Sequence, residues 1–470
     1  MSARRVLPPV AATALAVAAI ALLYAAARAV SPGLGLGLYA LANAVLFLDL
    51  IDLLVRLYAR RANAAPPEPG GGSPSVVLDV GDPAPHRRRL HLRPWALVVS
   101  VHDAERDLPR FLDSLRPYRS RLWVIDDAST DRTVSRLRRA GIRCIEGGVN
   151  RRKPAALRAL LGELPPEIET VVVFDPDVRF GAPEDVERVI YEHQRSGMAA
   201  LAPRATCRQD GFLALLQGFE YELCGGIGRK SLGDLCTNPG VSVYDRAALA
   251  GALERHSLSV YAEDLEISVH LLAAGHRIYY DDRLVVETEG KRTLRSWFSQ
   301  RVGWYYGLVR VYAECWPEIR RLARRSGLAA YQYLVYGGLL GVLLQPVRLA
   351  SLALVGLSAA GGLGLLLGFE LPGGRLTEPV YFVTAYLQYL LFSLLALGVG
   401  VPPGARRALA PAVPVYFFYA LLAMVPAAVG LANWLGIRFA GRRLYRDHYQ
   451  DEDSLRRRDR GRRRLAGAAR

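Results

Sequence analysis

Lysine is almost missing from this chain. Of its 60 basic side chains only Lys153, Lys230 and Lys291 are lysines; the rest are arginines, a bias that carries no function by itself. Cysteine is scarce too, and the five at 144, 207, 224, 236 and 315 form no C-x-x-C pair and no zinc-like spacing. That excludes a zinc module and a disulfide framework, and suits reduced thiols in a cytosolic compartment. No G-x-x-x-x-G-K-[ST] stretch occurs, so a phosphate loop is excluded. Also missing is a basic patch interleaved with aromatics on a folded segment. The net charge of +16 comes from arginine runs that flank hydrophobic segments or crowd the C-terminal tail, so nucleic acid is not an expected partner.

What is plentiful is apolar sequence. The 470 residues are 51% hydrophobic, and their mean hydropathy is +0.14. Apolar and basic together describe a membrane protein with its charge on one side. Val6 to Ala27 carries no charge and follows Arg4 and Arg5. It is long for the core of a cleavable signal peptide. Leu34 to Tyr58 is a second apolar run, with Asp52 and Arg56 one helical turn apart. Residues 62–95 are rich in proline and glycine and read as a linker along an anionic surface.

Further on, Gly327–Val347, Leu349–Phe369, Pro379–Val401 and Ala408–Ile437 are each uncharged and long enough to span a bilayer. Only Pro346 and Arg348 break the first two, which form either a tight hairpin or a re-entrant piece plus one span, and charge favours the hairpin. Keeping the Arg4/Arg5 end and the basic tail, 438–470, on the cytoplasmic side needs an even number of spans. The expectation is two spans within 1–61 and about four within 327–437. The middle of the chain then lies in the cytoplasm of a multi-pass cell-membrane protein. Residues 291–326, dense in Trp, Tyr and Arg, suit amphipathic helices at the headgroups; a packed helix of the soluble domain is the plainer alternative.

Between 96 and 290 the pattern is that of a soluble α/β domain. Short runs such as 96-ALVVSV-101, 122-LWVID-126 and 171-VVVFD-175 alternate with helical stretches, which predicts a parallel, helix-covered sheet. Each run ends in acid: Asp103 after the first, Asp126 and Asp127 at the second, Asp175 and Asp177 at the third. A lone D-x-D means little, since about one or two arise by chance in a chain this long. Three acidic strand ends on one edge are a different matter, because open α/β sheets bind ligands there. Two hard carboxylates beside a phosphorylated substrate suit Mg²⁺ or Mn²⁺.

With these motifs in order, residues 96–304 resemble a membrane-embedded family 2 glycosyltransferase of the GT-A fold, similar to hyaluronan, chitin and cellulose synthases. The resemblance implies an α/β GT-A (Rossmann-like) cytoplasmic domain attached to α-helical transmembrane segments. Asp103, Asp126, Asp127, Lys153 (in 150-NRRKPAAL-157) and Asp175 would then bind the nucleotide-sugar donor. Asp177 and Asp175 would hold the metal. Gly240 and Tyr244, in 238-NPGVSVYDR-246, fall on the acceptor side, as do Glu263, Gln300, Arg301 and Trp304. Asp264, in 261-YAED-264, would be the catalytic base. Two positions depart from the family pattern. Arg152 stands where N-x-G-K has glycine, and Gly303 replaces the arginine of Q-x-x-R-W, a role that the differently facing Arg301 cannot be assumed to take.

The implied reaction is inverting, metal-dependent transfer from a nucleotide sugar, expectedly a UDP-sugar, to a growing polysaccharide at the membrane. Transfer of one sugar to a lipid carrier is the alternative, and an inactive membrane scaffold the remaining one. Expected partners are the nucleotide sugar, a glycan or lipid-linked acceptor, and membrane lipids.

Overall fold

The computed structural model describes residues 36–62, 92–180, 183–208, 210–372 and 377–447. The expected span Val6–Ala27, nearly all of the linker and the end of the basic tail lie outside them. A single helix, α1 (Leu36–Ala62), covers the second apolar run.

The three acid-ended runs fold as expected, into β1 (Trp95–Val101), β2 (Leu122–Asp126) and β4 (Thr170–Phe174), with β3 (Cys144–Glu146) at the edge. These four are parallel. Successive side chains alternate faces. Ala96 and Val98 enter one core while Trp95, Leu97, Val99 and Val101 enter the other. Helices cover both faces, so the strands read as unbroken apolar runs. The helices of this half are α2 (Leu108–Ser114), α3 (Thr133–Arg139) and α4 (Lys153–Glu163).

The second half corrects the expectation of an all-parallel sheet. After β5 (Arg179–Phe180) and α5 (Pro183–Ser196) come β6 (Ala200–Arg208), α6 (Phe212–Glu222), β7 (Ser242–Asp245), α7 (Arg246–Arg255), α8 (Glu263–Ala273) and β8 (Ile278–Glu289). The sheet order is β3-β2-β1-β4-β7-β6-β8-β5, with β7 antiparallel to both β4 and β6. Reversing β7 delivers the loop before it, 233–241, to the carboxyl edge of β4. The β6–β8 register slips between Pro203 and Arg204, where proline has no N–H to give the ladder.

Beyond the sheet lie α9 (Leu294–Glu314), α10 (Trp316–Ala323), α11 (Gly327–Leu343), α12 (Gln345–Leu366), α13 (Val380–Val399), α14 (Pro403–Leu409) and α15 (Tyr416–Ala440). Among the described residues, three helices are long and apolar enough to cross a membrane: α12, α13 and α15. The first expected C-terminal span is shorter than expected, because the chain breaks at Leu344, just before Gln345 and Pro346 open α12. Proline is well suited to the first turn of a helix, where its missing N–H has no intrahelical partner to lose. Helix α9 does not lie bare on a surface. Its Trp297 packs on Tyr419 of α15, and its Gly307 lies against Tyr261 and Ala262 of the sheet domain.

Candidate functional site

The strand register sets the site. Val101 pairs with Asp126, and Val99 with Phe174, so Asp103, Asp126 and Asp175 leave one sheet edge together. Asp103 takes a left-handed backbone (φ 47), and its Oδ1 accepts the Thr130 N–H at 2.6 Å. Asp126 is 4% exposed. Its Oδ2 accepts the Ser129 N–H at 3.0 Å, while its buried Oδ1 has no hydrogen-bond partner. Asp127 is turned the other way. Its two oxygens accept the N–H groups of Arg151 (2.6 Å) and Arg152 (2.8 Å), tying the second acidic cluster to the start of α4. That tie holds Arg152 at φ 75, the left-handed backbone that favours glycine.

Lys153 is the hub. Its Nζ lies 2.6 Å from Asp175 Oδ1 and 3.0 Å from Glu263 Oε1. Burial alone would lower its pKa, but the two carboxylates override burial and hold the ammonium well above its usual value. One lysine thus joins the end of β4 to the first turn of α8. Gly240, before β7, closes the cluster: a Cβ built there would sit 2.9 Å from Asp175 Oδ2 and 3.6 Å from Lys153 Nζ. Gly240→Ala is therefore expected to push on Asp175 and raise the donor KM about tenfold with kcat little changed, measured in steady-state assays; the figure assumes one displaced charge-assisted contact.

Glu263 and Asp264 open α8 behind Ala262, which is left-handed at φ 53. A helix N-terminus favours anions, yet burial raises both carboxyls above their ordinary values against the pull of Lys153. Asp264 Oδ1 accepts the Leu265 N–H at 2.9 Å. Asp177 is half-buried, and burial plus the charge of Asp175 push it up to about 6. Asp177, with no cation in contact among the described residues and the charge of Asp175 beside it, fits Mg²⁺ or Mn²⁺, and Asp177 with Asp175 would hold it.

The other expected acceptor residues do not join this cluster. Tyr244 points into the core, 3% exposed, beneath the site. Arg301 is buried and committed: its guanidinium pairs with Glu220 and stacks 3.9 Å over Trp304, and Glu220 also accepts the Tyr419 hydroxyl at 2.6 Å. Gln300 lies beside Arg301 (3.3 Å) and Trp304 is part-exposed, both on α9.

Three groups were missed in the sequence. His102 Nδ1 donates to the Asp127 carbonyl at 2.8 Å, Arg229 lowers the Asp264 carboxyl, and Lys291 lowers Asp177. Lysine scarcity was a usable signal for Lys291; nothing marked the other two. A second buried group, Glu266, His270 and Cys315, has metal-like spacing. However, Arg310 already supplies the positive charge to Glu266 at 2.6 Å, and burial pushes the Cys315 thiol up to about 12.

Residues 96–244 match the family model described as glycosyl transferase family 2. No curated protein matches the chain in sequence. A mannosyltransferase from Pyrobaculum calidifontis, solved with GDP-mannose and Mn²⁺, superposes with a TM-score of 0.50 at 17% identity, over 84% of this chain and 98% of its own. Glucosyl-3-phosphoglycerate synthase from Mycobacterium tuberculosis, solved with UDP, does so with a TM-score of 0.33 at 20% identity, over 46% of this chain and 80% of its own. The domain built on β1–β8 thus has a GT-A-like, Rossmann-type fold, is similar over residues 96–244 to glycosyl transferase family 2, and is joined to a C-terminal helical region.

Proposed function

We propose that this protein is a membrane-bound, inverting glycosyltransferase that moves one sugar from a nucleotide-diphosphate sugar to an acceptor hydroxyl or phosphate carried by a membrane lipid. The observation that carries the catalytic part is Lys153, which holds the donor-side Asp175 and the α8 acid Glu263 in one cluster, beside Asp264. The mannosyltransferase solved with GDP-mannose and Mn²⁺ supports a nucleotide-sugar donor and a divalent ion.

In this mechanism Asp264 accepts the proton of the acceptor as general base. The freed oxygen attacks the anomeric carbon, the bond from that carbon to the diphosphate oxygen breaks, and the nucleoside diphosphate leaves on the opposite face. When bound, the divalent ion at Asp177 and Asp175 neutralises charge on the leaving diphosphate. Lys153 orients the donor and Asp126 faces the nucleoside. Much of the rate comes from holding both substrates at one sheet edge.

Extension of a polysaccharide is the rival reading, and Arg301 weighs against it. With Gly303 in the motif position and Arg301 tied to Glu220, neither brings a guanidinium to the acceptor. Arg301→Met is expected to destabilise the fold by about 3–5 kcal/mol, because it strands a largely buried carboxylate. Donor affinity should stay unchanged; a thermal melt and a donor titration check both.

The membrane setting follows from α12, α13 and α15, and from α1. Arg56 of α1 donates to the Gly228 carbonyl (3.2 Å) and Arg60 to the Val399 carbonyl (2.6 Å). These contacts bring the ends of α1 and α13 to the catalytic domain, on what we read as the cytoplasmic side. The deciding experiment is nucleoside diphosphate release from protein in lipid nanodiscs, with a panel of UDP- and GDP-sugars and Mg²⁺ or Mn²⁺, with and without polyprenyl phosphate. Release that needs the lipid, with a product one sugar heavier, supports this reading. Lipid-independent release with a high-molecular-weight product would establish the polysaccharide reading instead.

A further inference from the structure

The segment that follows α15 returns to the loop that leads into α8, the helix that carries Asp264. Helix α15 ends at Gly441, left-handed at φ 64. Asn433, fully buried two turns back, then captures the chain. Its Oδ1 accepts the N–H groups of Leu444 (3.0 Å) and Tyr445 (2.9 Å), and its Nδ2 donates to the Tyr445 carbonyl (2.9 Å). The Tyr445 ring packs edge-on against Phe298 of α9, at 5.3 Å between centroids. So directed, Arg443 and Asp447 converge on Tyr261. The Tyr261 hydroxyl donates to the Asp447 carboxylate (3.0 Å) and accepts from Arg443 Nη1 (2.8 Å), while Arg443 and Asp447 pair at 2.9 Å. Asp447 is wholly buried.

Tyr261 is held from the other side as well. Its carbonyl accepts Arg310 Nη2 at 2.8 Å, and Arg310 also binds Glu266 of α8 and Ser257 of the same loop. Its ring meets Tyr306 edge-on at 4.8 Å. Helix α9 approaches so closely here that a Cβ on Gly307 would lie 2.8 Å from the Ala262 nitrogen. Ala262 sits in the left-handed region, which costs a non-glycine residue of order 1–3 kcal/mol and persists only where its surroundings hold it. Glu263 and Asp264 come next in the chain.

We propose that residues 441–447 form a strap whose Arg443–Asp447 pair, acting through the Tyr261 hydroxyl, positions Asp264. This rests on the glycosyltransferase reading above. Tyr261, Arg443 and Asp447 are positioning residues: they act on the backbone that aims the base and touch no substrate. The strap makes turnover depend on the C-terminal segment, far from the catalytic motifs in sequence.

The test uses the full chain in nanodiscs with Tyr261→Phe, which removes one oxygen and keeps the ring packing and the Arg443–Asp447 pair. Asp447→Ala and the double variant accompany it. Amide hydrogen exchange across 257–265 should speed up in each single variant. The kcat should fall between about tenfold and about a hundredfold, the scale of a small misplacement at a reacting centre, with donor KM unchanged. The double variant should be no worse than the worse single, as for one shared interaction. Wild-type exchange and kcat in Tyr261→Phe, a donor KM that moves with kcat, or additive losses would each overturn the strap. A wild-type protein inert with every donor would instead overturn the glycosyltransferase reading, and the exchange measurement alone would then decide whether the strap holds the loop.

Discussion

Asp264→Asn should bind donor as the parent protein does and transfer almost nothing. General-base catalysis contributes about 10²–10⁴-fold, and asparagine keeps the shape and can still accept the Leu265 N–H while losing the basic oxygen. The pH behaviour should agree. Burial raises the Asp264 carboxyl above its ordinary value of 3.8, so the acid limb of kcat/KM should lie above that of a free aspartate, with activity lost as pH falls through it. Stability moves the other way. A carboxyl whose folded pKa is raised favours the fold below its unfolded pKa, and that contribution is lost as pH rises through the folded value. The asparagine variant, which carries no such charge, should therefore melt no lower than the parent at neutral pH. Donor titration, a pH–rate profile and a melt are the three measurements. Parent-like turnover by Asp264→Asn would remove Asp264 from the mechanism.

The half of the fold that determines the site was legible because its signal is local. Each of 96–101, 122–126 and 171–175 is an apolar run with an acid at its end or two residues beyond, and period and length alone place it as a buried strand. The reversal of β7 was not legible. A four-residue strand looks the same in either direction, and which neighbour it takes is decided by packing across the sheet. The same limit applies to side-chain aim. Asp126 and Asp127 are adjacent in sequence, yet one holds the Ser129 N–H of its own loop and the other is taken up by the start of α4. Tyr244 falls in an acceptor-side motif and lands in the core, because β7 is an interior strand with both faces covered: Val243 enters one core and Tyr244 the other. Arg301 could be seen to face away from the motif arginine's direction, but its partner Glu220 is 81 residues distant and no spacing rule reaches that far. In the apolar region the sequence showed length and hydropathy; the break at Leu344 followed from Pro346, while the packing of α15 along α9 did not appear in either segment alone.

Lys153→Met should be the most damaging single change in the site, in stability and in donor binding together. The methionine fills the same length without charge, leaving Asp175 and Glu263 to face each other with no ammonium between them. Breaking a fully buried pair by removing one partner costs about 3–5 kcal/mol; with Asp175 a third exposed to screening solvent, the loss here should fall below that range. Here two carboxylates are stranded. In the parent the contribution of Lys153 itself should not change across the acidic-to-neutral range, since its raised pKa keeps that contribution fully present below the unfolded value of 10.5. The variant should behave differently. With the lysine gone, the folded pKa of Glu263, already raised by burial, rises further, so the native state takes up a proton that the unfolded chain does not. Stability of the variant should then recover as pH falls through that raised value and decline again as pH rises. At neutral pH its donor KM should rise at least as steeply as that of Gly240→Ala, because the charge that orients the diphosphate is missing. Thermal melts of both proteins between pH 5 and pH 8, with donor titrations at neutral pH, measure these effects. Parallel melting curves for parent and variant would show that Lys153 does not join β4 to α8 in solution, and the pairing of donor acid with base helix would lose its support.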